Sequence, residues 1–294
     1  AQALLQHADA AIFRAKELGR GSFQFFSQEM SHRQQARLSM ANRLHQALAR
    51  QEFFLLYQPI VELASGRMVG VEALLRWEPD GEPVSPGEFI PVAEETGLIL
   101  PLGEWVLEEA CRQLGEWEGR GIPVFGAVNL SVRQLREAGL VEKVRAALSR
   151  NADPARQPLE LEITESAMVT NARAMEDLLF QLRDAGLRLS LDDFGTGYSS
   201  LDRLKHLPFD KLKVDKSFVG GLPSEEDDTS IVTAIVHLAK NLGLHSLAEG
   251  IETEEQYRYL RWLGCEYGQG FLFSHPLPPG EIEALWERGG RLDG

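Results

Sequence analysis

The sequence predicts an α/β fold built around an eight-stranded barrel, and three observations carry that reading. Eight short β-rich runs alternate with helical stretches between Phe53 and Phe273. Strand–helix alternation implies a parallel sheet, and eight units favour closure into a barrel over an open sheet. Polar residues gather toward the C-terminal end of each run, the rim on which barrels build their sites.

Residues 1–28 stand apart from that pattern. ADAAIFRAKELGR reads as a helix with apolar positions at Ala11, Ile12, Ala15 and Leu18, and a short strand, SFQFF, follows Gly19 and Gly21. Residues 29–50 are polar and helix-forming and read as a connecting helix. The barrel is expected over residues 51–290. Its runs are FFLLYQPIVEL, MVGVEALLRW, VFGAVNLS, LELEITES, RLSLDDFG, KLKVDKSFV, HSLAEGIE and CEYGQGFLF. Only LASGR separates the first two, too short for a crossover helix, so the first strand is expected to run antiparallel. The fold is therefore a modified TIM-type (β/α)8 barrel. Helical patterns such as GEWVLEEACRQLGEWEG, NARAMEDLLFQLRDAG and DTSIVTAIVHLAKNLG each close on a glycine suited to a helix C-terminus. The acidic run Ser224–Asp228 opens a helix, and stabilising that N-terminus accounts for it.

Composition narrows the chemistry. With 30 Lys and Arg against 44 Asp and Glu, the net charge of −14 has the wrong sign for binding a nucleic-acid polymer. An anionic substrate must be gripped by metal ions or by a few placed cations. The two cysteines, Cys111 and Cys265, match no zinc or redox spacing, which fits a reduced, cytoplasmic setting. No apolar run reaches the length of a membrane span, and the first residues are not a signal peptide. No membrane contact is expected of this segment, although an upstream region could tether the full-length protein.

Strand parity places charge inside the barrel. Glu160, Glu162 and Thr164 oppose Leu161 and Ile163; Arg188, Ser190 and Asp192 oppose Leu189 and Leu191; Lys211, Lys213 and Asp215 oppose Leu212 and Val214. Buried unpaired charge is costly, so acids and lysines on several inner faces point to a bound cation and anion, or else to an internal salt-bridge network. Glu72, Asn129, Glu162, Asp192, Asp193 and Glu249 lie toward strand ends and are hard oxygen donors. His237 and His245 are too far apart for one helix face. Oxygen-only ligation points to Mg²⁺ or Mn²⁺ rather than zinc, and Asp192 and Asp193 at a strand end suit a carboxylate that bridges two ions. Calcium, with longer and looser coordination, is expected to bind and inhibit. DFGTGYSS only partly matches a phosphate-binding glycine fingerprint. It reads as a flexible active-site loop, with an ordinary strand-to-helix turn as the alternative.

YQPIVEL, VEALLRW with its Glu72-Ala73-Leu74, VNLS, LEITES, DDFGTGYSSL, KVDKSF, AEGIET and GQGFLFSHPL occur in this order. Together they closely resemble the EAL family of cyclic-di-GMP phosphodiesterases over residues 40–285. The resemblance implies Glu72, Asn129, Glu162 and Asp192 as ligands of one metal and Asp192, Asp193 and Glu249 as ligands of a second. It implies Lys213, beside the attacking water as general base or water-orienter, and Glu249 as catalytic residues. Gln58, Arg76, Asp215 and Gln269 resemble substrate contacts, Gln269 also helping to hold the site, and Glu165 resembles the glutamate bracing the loop after Asp193. It further implies cyclic-di-GMP as partner and a homodimer formed through DDTSIVTAIVHLAKNLG and the short helix after Tyr198. ADAAIFRAKELGRGSFQFF resembles the last helix and strand of a GGDEF-type diguanylate cyclase domain whose signature is absent here. A barrel that binds cyclic-di-GMP without cutting it is the rival reading, and an enzyme for another phosphodiester a more distant one.

Overall fold

Period-two alternation within short runs, and helical amphipathicity between them, leave each strand one face to bury under a helix and one to bury inside a ring. The computed structural model describes residues 12, 23, 25, 27–151, 159–169, 172–195 and 204–292. It resolves two compact units, Ala1–Phe53 with Trp77–Leu98 and Phe54–Arg76 with Ile99–Gly294. The N-terminal helix and strand read from the sequence lie outside the described residues apart from isolated positions, as does the DFGTGYSS loop beyond Gly195.

The second unit carries the barrel. Strands β1 (Phe53–Glu62), β2 (Arg67–Trp77), β3 (Phe125–Leu130), β4 (Leu159–Thr164), β5 (Arg188–Phe194), β6 (Lys211–Val214), β7 (His245–Ala248) and β8 (Tyr267–Gly268) close in sequence order. Pairing is parallel from β2 through β8, whereas β1 meets β8 antiparallel. The modified barrel is therefore as expected. The last three strands are shorter than the runs suggested. In KLKVDKSFV the carboxylate of Asp215 accepts from the backbone N–H of Ser217 and turns Lys216–Val219 into a short helix, α6. In CEYGQGFLF only Tyr267 and Gly268 pair as strand.

Leu161, Ile163, Leu189, Leu191, Leu212 and Val214 all join the main apolar core. Against it pack α3 (Ile99–Gly119), α4 (Leu140–Asn151), α5 (Ala172–Asp184), α7 (Glu226–Leu242) and α8 (Glu254–Leu263). Gly186 and Gly243 take the left-handed conformation expected of helix ends; after α3 that role falls to Gly121 rather than Gly119. Glu226, Asp227 and Asp228 sit in the first turn of α7, as the acidic run implied. Inside the ring, Ile60, Phe125, Ala127 and Leu247 form a separate apolar cluster. Gly70 makes room for it, since a Cβ there would meet the Phe125 ring at 2.5 Å.

The first unit has its own small core. Phe53, Trp77 and Phe89, the last from α2 (Pro86–Thr96), pack with ring centroids 5.6–6.1 Å apart. The Trp77 indole N–H donates to Glu52 at 3.0 Å, and Arg43 of α1 (Gln28–Ala47) lies over the same ring. Among the described residues, no helix is long and apolar enough to cross a membrane.

Candidate active site

The inner apolar cluster is a floor, and period two puts the site one step above it. Asn129 follows Ala127 by two residues on β3, Glu249 follows Leu247 by two, and Gln58 precedes Ile60 by two on the reversed β1. On β4 and β6 the same step separates two buried ion pairs. The Lys211 ammonium contacts both oxygens of Glu160 at 2.8 Å, and one layer higher the Lys213 ammonium donates to Glu162 Oε2 at 2.7 Å. Alternate strands filling one layer is the packing rule of such barrels. The lower pair is the internal salt bridge that parity allowed; the upper one belongs to a larger cluster.

Lys213 is fully buried, and its ammonium also lies 3.3 Å from Asp192 and 2.5 Å from Glu249. Burial alone would push its pKa down, but Glu162, Glu249, Asp192 and Glu72 more than offset that and hold it well above the usual lysine value. The acids respond in the opposite sense. Burial, against the pull of Lys213, raises Glu162 well above the usual carboxylate range, with neighbouring acids adding to the effect. Glu249 is raised to about 7 for the same reasons. Burial and then the Asp192 carboxylate also raise Asp193.

A bulge brings the two aspartates together. The β5–β6 register shifts between Leu191 and Phe194, and Asp193 takes φ of +54°. Asp tolerates that left-handed conformation better than most residues. The extra residue returns Phe194 to the apolar layer while Asp192 and Asp193 both stay at the rim, and the Asp193 N–H donates to Asp192 Oδ1 at 2.9 Å. Glu165, buried just after β4, accepts from the Gly195 N–H at 3.1 Å and so fixes the start of the following loop.

Amide side chains orient Glu72. Asn129 donates to its Oε1 at 2.7 Å and Gln269 to its Oε2 at 2.6 Å. Gln269 also donates to Gln58 Oε1 at 2.9 Å, and Gln58 donates in turn to the Ser274 carbonyl at 3.1 Å. Gln58 and Gln269 thus form one bracing chain. Arg76 is half-buried, donates to the Leu75 carbonyl, and lies within the field of Glu72. Asp215 spends one oxygen on capping Lys216–Val219.

The structure therefore gathers Glu72, Asn129, Glu162, Asp192, Lys213, Glu249 and Gln269 at one rim, with Asp193 and Glu165 beside them. The donors are all oxygens, and Glu162 Oε1 and Gln269 Oε1 are buried without a hydrogen-bond partner. That set fits a hard divalent cation. Among the described residues no three acidic, His or Cys side chains converge on a common cation position, because the carboxylates are drawn onto the Lys213 ammonium. One feature escaped the sequence reading. Phe271 is 53% exposed and its ring lies 4.1 Å from that of His275, both just beyond Gln269. Reading CEYGQGFLF as one strand hid this pair.

The EAL domain family model matches residues 41–276. The chain is 47% identical over 284 residues to the bifunctional diguanylate cyclase/cyclic di-GMP phosphodiesterase MucR of Pseudomonas aeruginosa, covering 96% of this chain and 41% of that protein. It is 43% identical over 287 residues to the cyclic di-GMP phosphodiesterase NbdA of the same organism, covering 95% of this chain and 36% of the relative. The chain thus spans about two-fifths of the curated relatives it matches. A solved PaMucR phosphodiesterase in complex with c-di-GMP aligns with a TM-score of 0.79 at 48% identity, over 83% of this chain and 99% of that one. Eight barrel strands, a rim of carboxylates around one lysine and a family match across most of its length agree: the chain belongs to the EAL domain family.

Proposed function

We propose that this chain is a metal-dependent phosphodiesterase that hydrolyses cyclic-di-GMP to the linear dinucleotide 5′-pGpG. The observation that carries the reading is the rim cluster, with Glu72, Glu162, Asp192 and Glu249 enclosing Lys213. MucR and NbdA, named as cyclic di-GMP phosphodiesterases, support it.

In this reading Glu72, Asn129, Glu162 and Asp192 hold one Mg²⁺ or Mn²⁺, and Asp192, Asp193 and Glu249 hold a second. When bound, the ions supply Lewis-acid polarisation of the phosphoryl oxygens and acidify water. The chain's own residues do the rest. Lys213, which donates to Glu162 Oε2 and contacts Asp192 and Glu249, is placed between the ligands of both ions to orient or deprotonate the attacking water. Asn129 and Gln269 hold the Glu72 carboxylate in one orientation. Glu165 steadies the backbone after Asp193. Arg76 offers a fixed cation to the substrate's phosphates, Asp215 an acceptor to a guanine, and the exposed Phe271 a flat apolar face for its base. Attack at phosphorus breaks the bond to the 3′ oxygen and leaves the phosphate on the 5′ side of the linear product.

The proposal includes the expected domain division at 1–28, 29–50 and 51–290, with a GGDEF-type remnant first. It also includes dimerisation through α7, whose Ile231 is partly exposed. A receptor that binds cyclic-di-GMP without cutting it is the rival reading. Incubating the purified chain with cyclic-di-GMP and Mn²⁺ separates the two. Conversion to 5′-pGpG that stops on adding EDTA supports the enzyme; saturable binding without product supports the receptor and defeats the enzyme.

A further inference from the structure

The opposite end of the barrel holds a cavity of about 560 Å³, within the ordinary range of small-molecule pockets. Its lining comes from the first residues of successive strands: Phe125, Arg188, Lys211, His245 and Tyr267 open β3, β5, β6, β7 and β8. Arg183 of α5 and Lys205 also line it. The two carboxylates among the described lining residues already have partners. Both oxygens of Glu160 contact Lys211, and Asp210 accepts from the Leu189 N–H at 2.9 Å. Arg183, Arg188 and Lys205 have no ion-pair partner among the described residues. Among the described lining residues four cations stand against two carboxylates, in a chain of net charge −14.

Lys211 is paired with Glu160 and His245 with Glu266, which leaves Arg183, Arg188 and Lys205 as like charges that repel one another at one mouth. Guanidinium groups in a concave site are suited to phosphate oxygens, which they bind in a forked geometry. Two aromatic rings share the cavity: Arg188 lies 5.4 Å from the Phe125 centroid, and Tyr267 is half-buried beside His245. A bare phosphate would leave most of this volume empty. We infer that the N-terminal mouth of the barrel binds a small phosphorylated metabolite of mononucleotide size, its phosphate on Arg183, Arg188 and Lys205 and its ring against Tyr267. The site is separate from the rim cluster. The strands that open at the cavity run on to that cluster, and on β4 and β6 Glu160 and Lys211 precede Glu162 and Lys213 by two residues.

The test is calorimetric titration of the whole chain, in EDTA at fixed ionic strength, with 5′-AMP and separately with inorganic phosphate. The expected result is saturable binding of 5′-AMP, tighter than that of phosphate. Arg188→Ala should weaken it at least about tenfold, the scale of a lost charge-assisted hydrogen bond. Lys205→Ala, at an exposed position that does not endanger folding, should weaken it several-fold. Glu72→Ala, at the far rim, should leave it unchanged. No saturable binding by the parent chain would overturn the inference. So would affinity indifferent to both Arg188→Ala and Lys205→Ala, or binding lost in Glu72→Ala. An Arg188→Ala variant that only lowers the unfolding temperature would show the cations to be structural, and would also overturn it.

Discussion

Lys213 is the side chain on which the site turns, because it alone among the described residues presents a cation to Glu162, Asp192 and Glu249. Lys213→Ala should abolish turnover, but activity cannot separate a water-orienting lysine from one that only balances charge. Stability and affinity can. Without divalent metal, removing one partner of a buried ion cluster costs roughly 3–5 kcal/mol, less whatever the acids recover by taking up protons. Thermal unfolding in EDTA should therefore show a marked loss that excess Mn²⁺ largely restores. If Lys213 acts on the water, affinity for cyclic-di-GMP in Ca²⁺ should stay nearly unchanged. A large shift in that affinity would mark a charge balancer instead. Gln269 offers a gentler probe at the same scale. Its amide donates to Glu72 and Gln58, and loss of such an orienting partner costs about 10–100-fold in metal affinity. Gln269→Ala should show that weakening in a Mn²⁺ titration while its fold survives; unaltered metal affinity would count against Glu72 as a ligand.

The elements show which parts of the site could be read from sequence. Parity on β4, β5 and β6 was legible because a one-residue slip would turn every side chain to the wrong face. It put Glu162, Asp192 and Lys213 inside the ring, where they are. Parity could not register the bulge at Asp193, since the added residue is visible only as a register shift against β6. Nor could it foresee the capping of Lys216–Val219 by Asp215, or that β8 would stop at Gly268. That stop reflects a close backbone crossing. A Cβ on Gly270 would lie 2.1 Å from the Ile251 carbonyl oxygen, a backbone atom that no rotamer change can move aside. Gly270→Ala should therefore cost about 3 kcal/mol or more, at the high end for a single substitution. Circular dichroism of a thermal melt checks this directly. A melt matching the parent would mean that the backbone at the crossing yields to a methyl group.

For the whole molecule, the acidic excess sets the terms on which the barrel can work. Four carboxylates and one buried ammonium form a site that, by charge alone, repels a doubly anionic substrate, in a chain already at −14. On the proposed reading divalent cations would resolve that conflict, and they should act first on stability. A ligand that binds only the folded chain raises its stability by about 2.7 kcal/mol at a hundredfold excess over Kd. Mg²⁺, Mn²⁺ and Ca²⁺ should each raise the unfolding temperature, because each accepts hard oxygen donors. They should part at turnover. Mg²⁺ demands near-octahedral geometry at about 2.0–2.1 Å, whereas Ca²⁺ sits farther from its oxygens, at about 2.3–2.6 Å, with more of them. A site that positions water against phosphorus is sensitive to that difference, since small displacements of reacting groups are costly. Calcium should therefore stabilise the chain and permit cyclic-di-GMP binding while product formation falls to background. Paired melts and product assays in the three metals separate occupancy from chemistry. Hydrolysis in Ca²⁺ as fast as in Mg²⁺ would remove the case for a tightly coordinated two-metal rim.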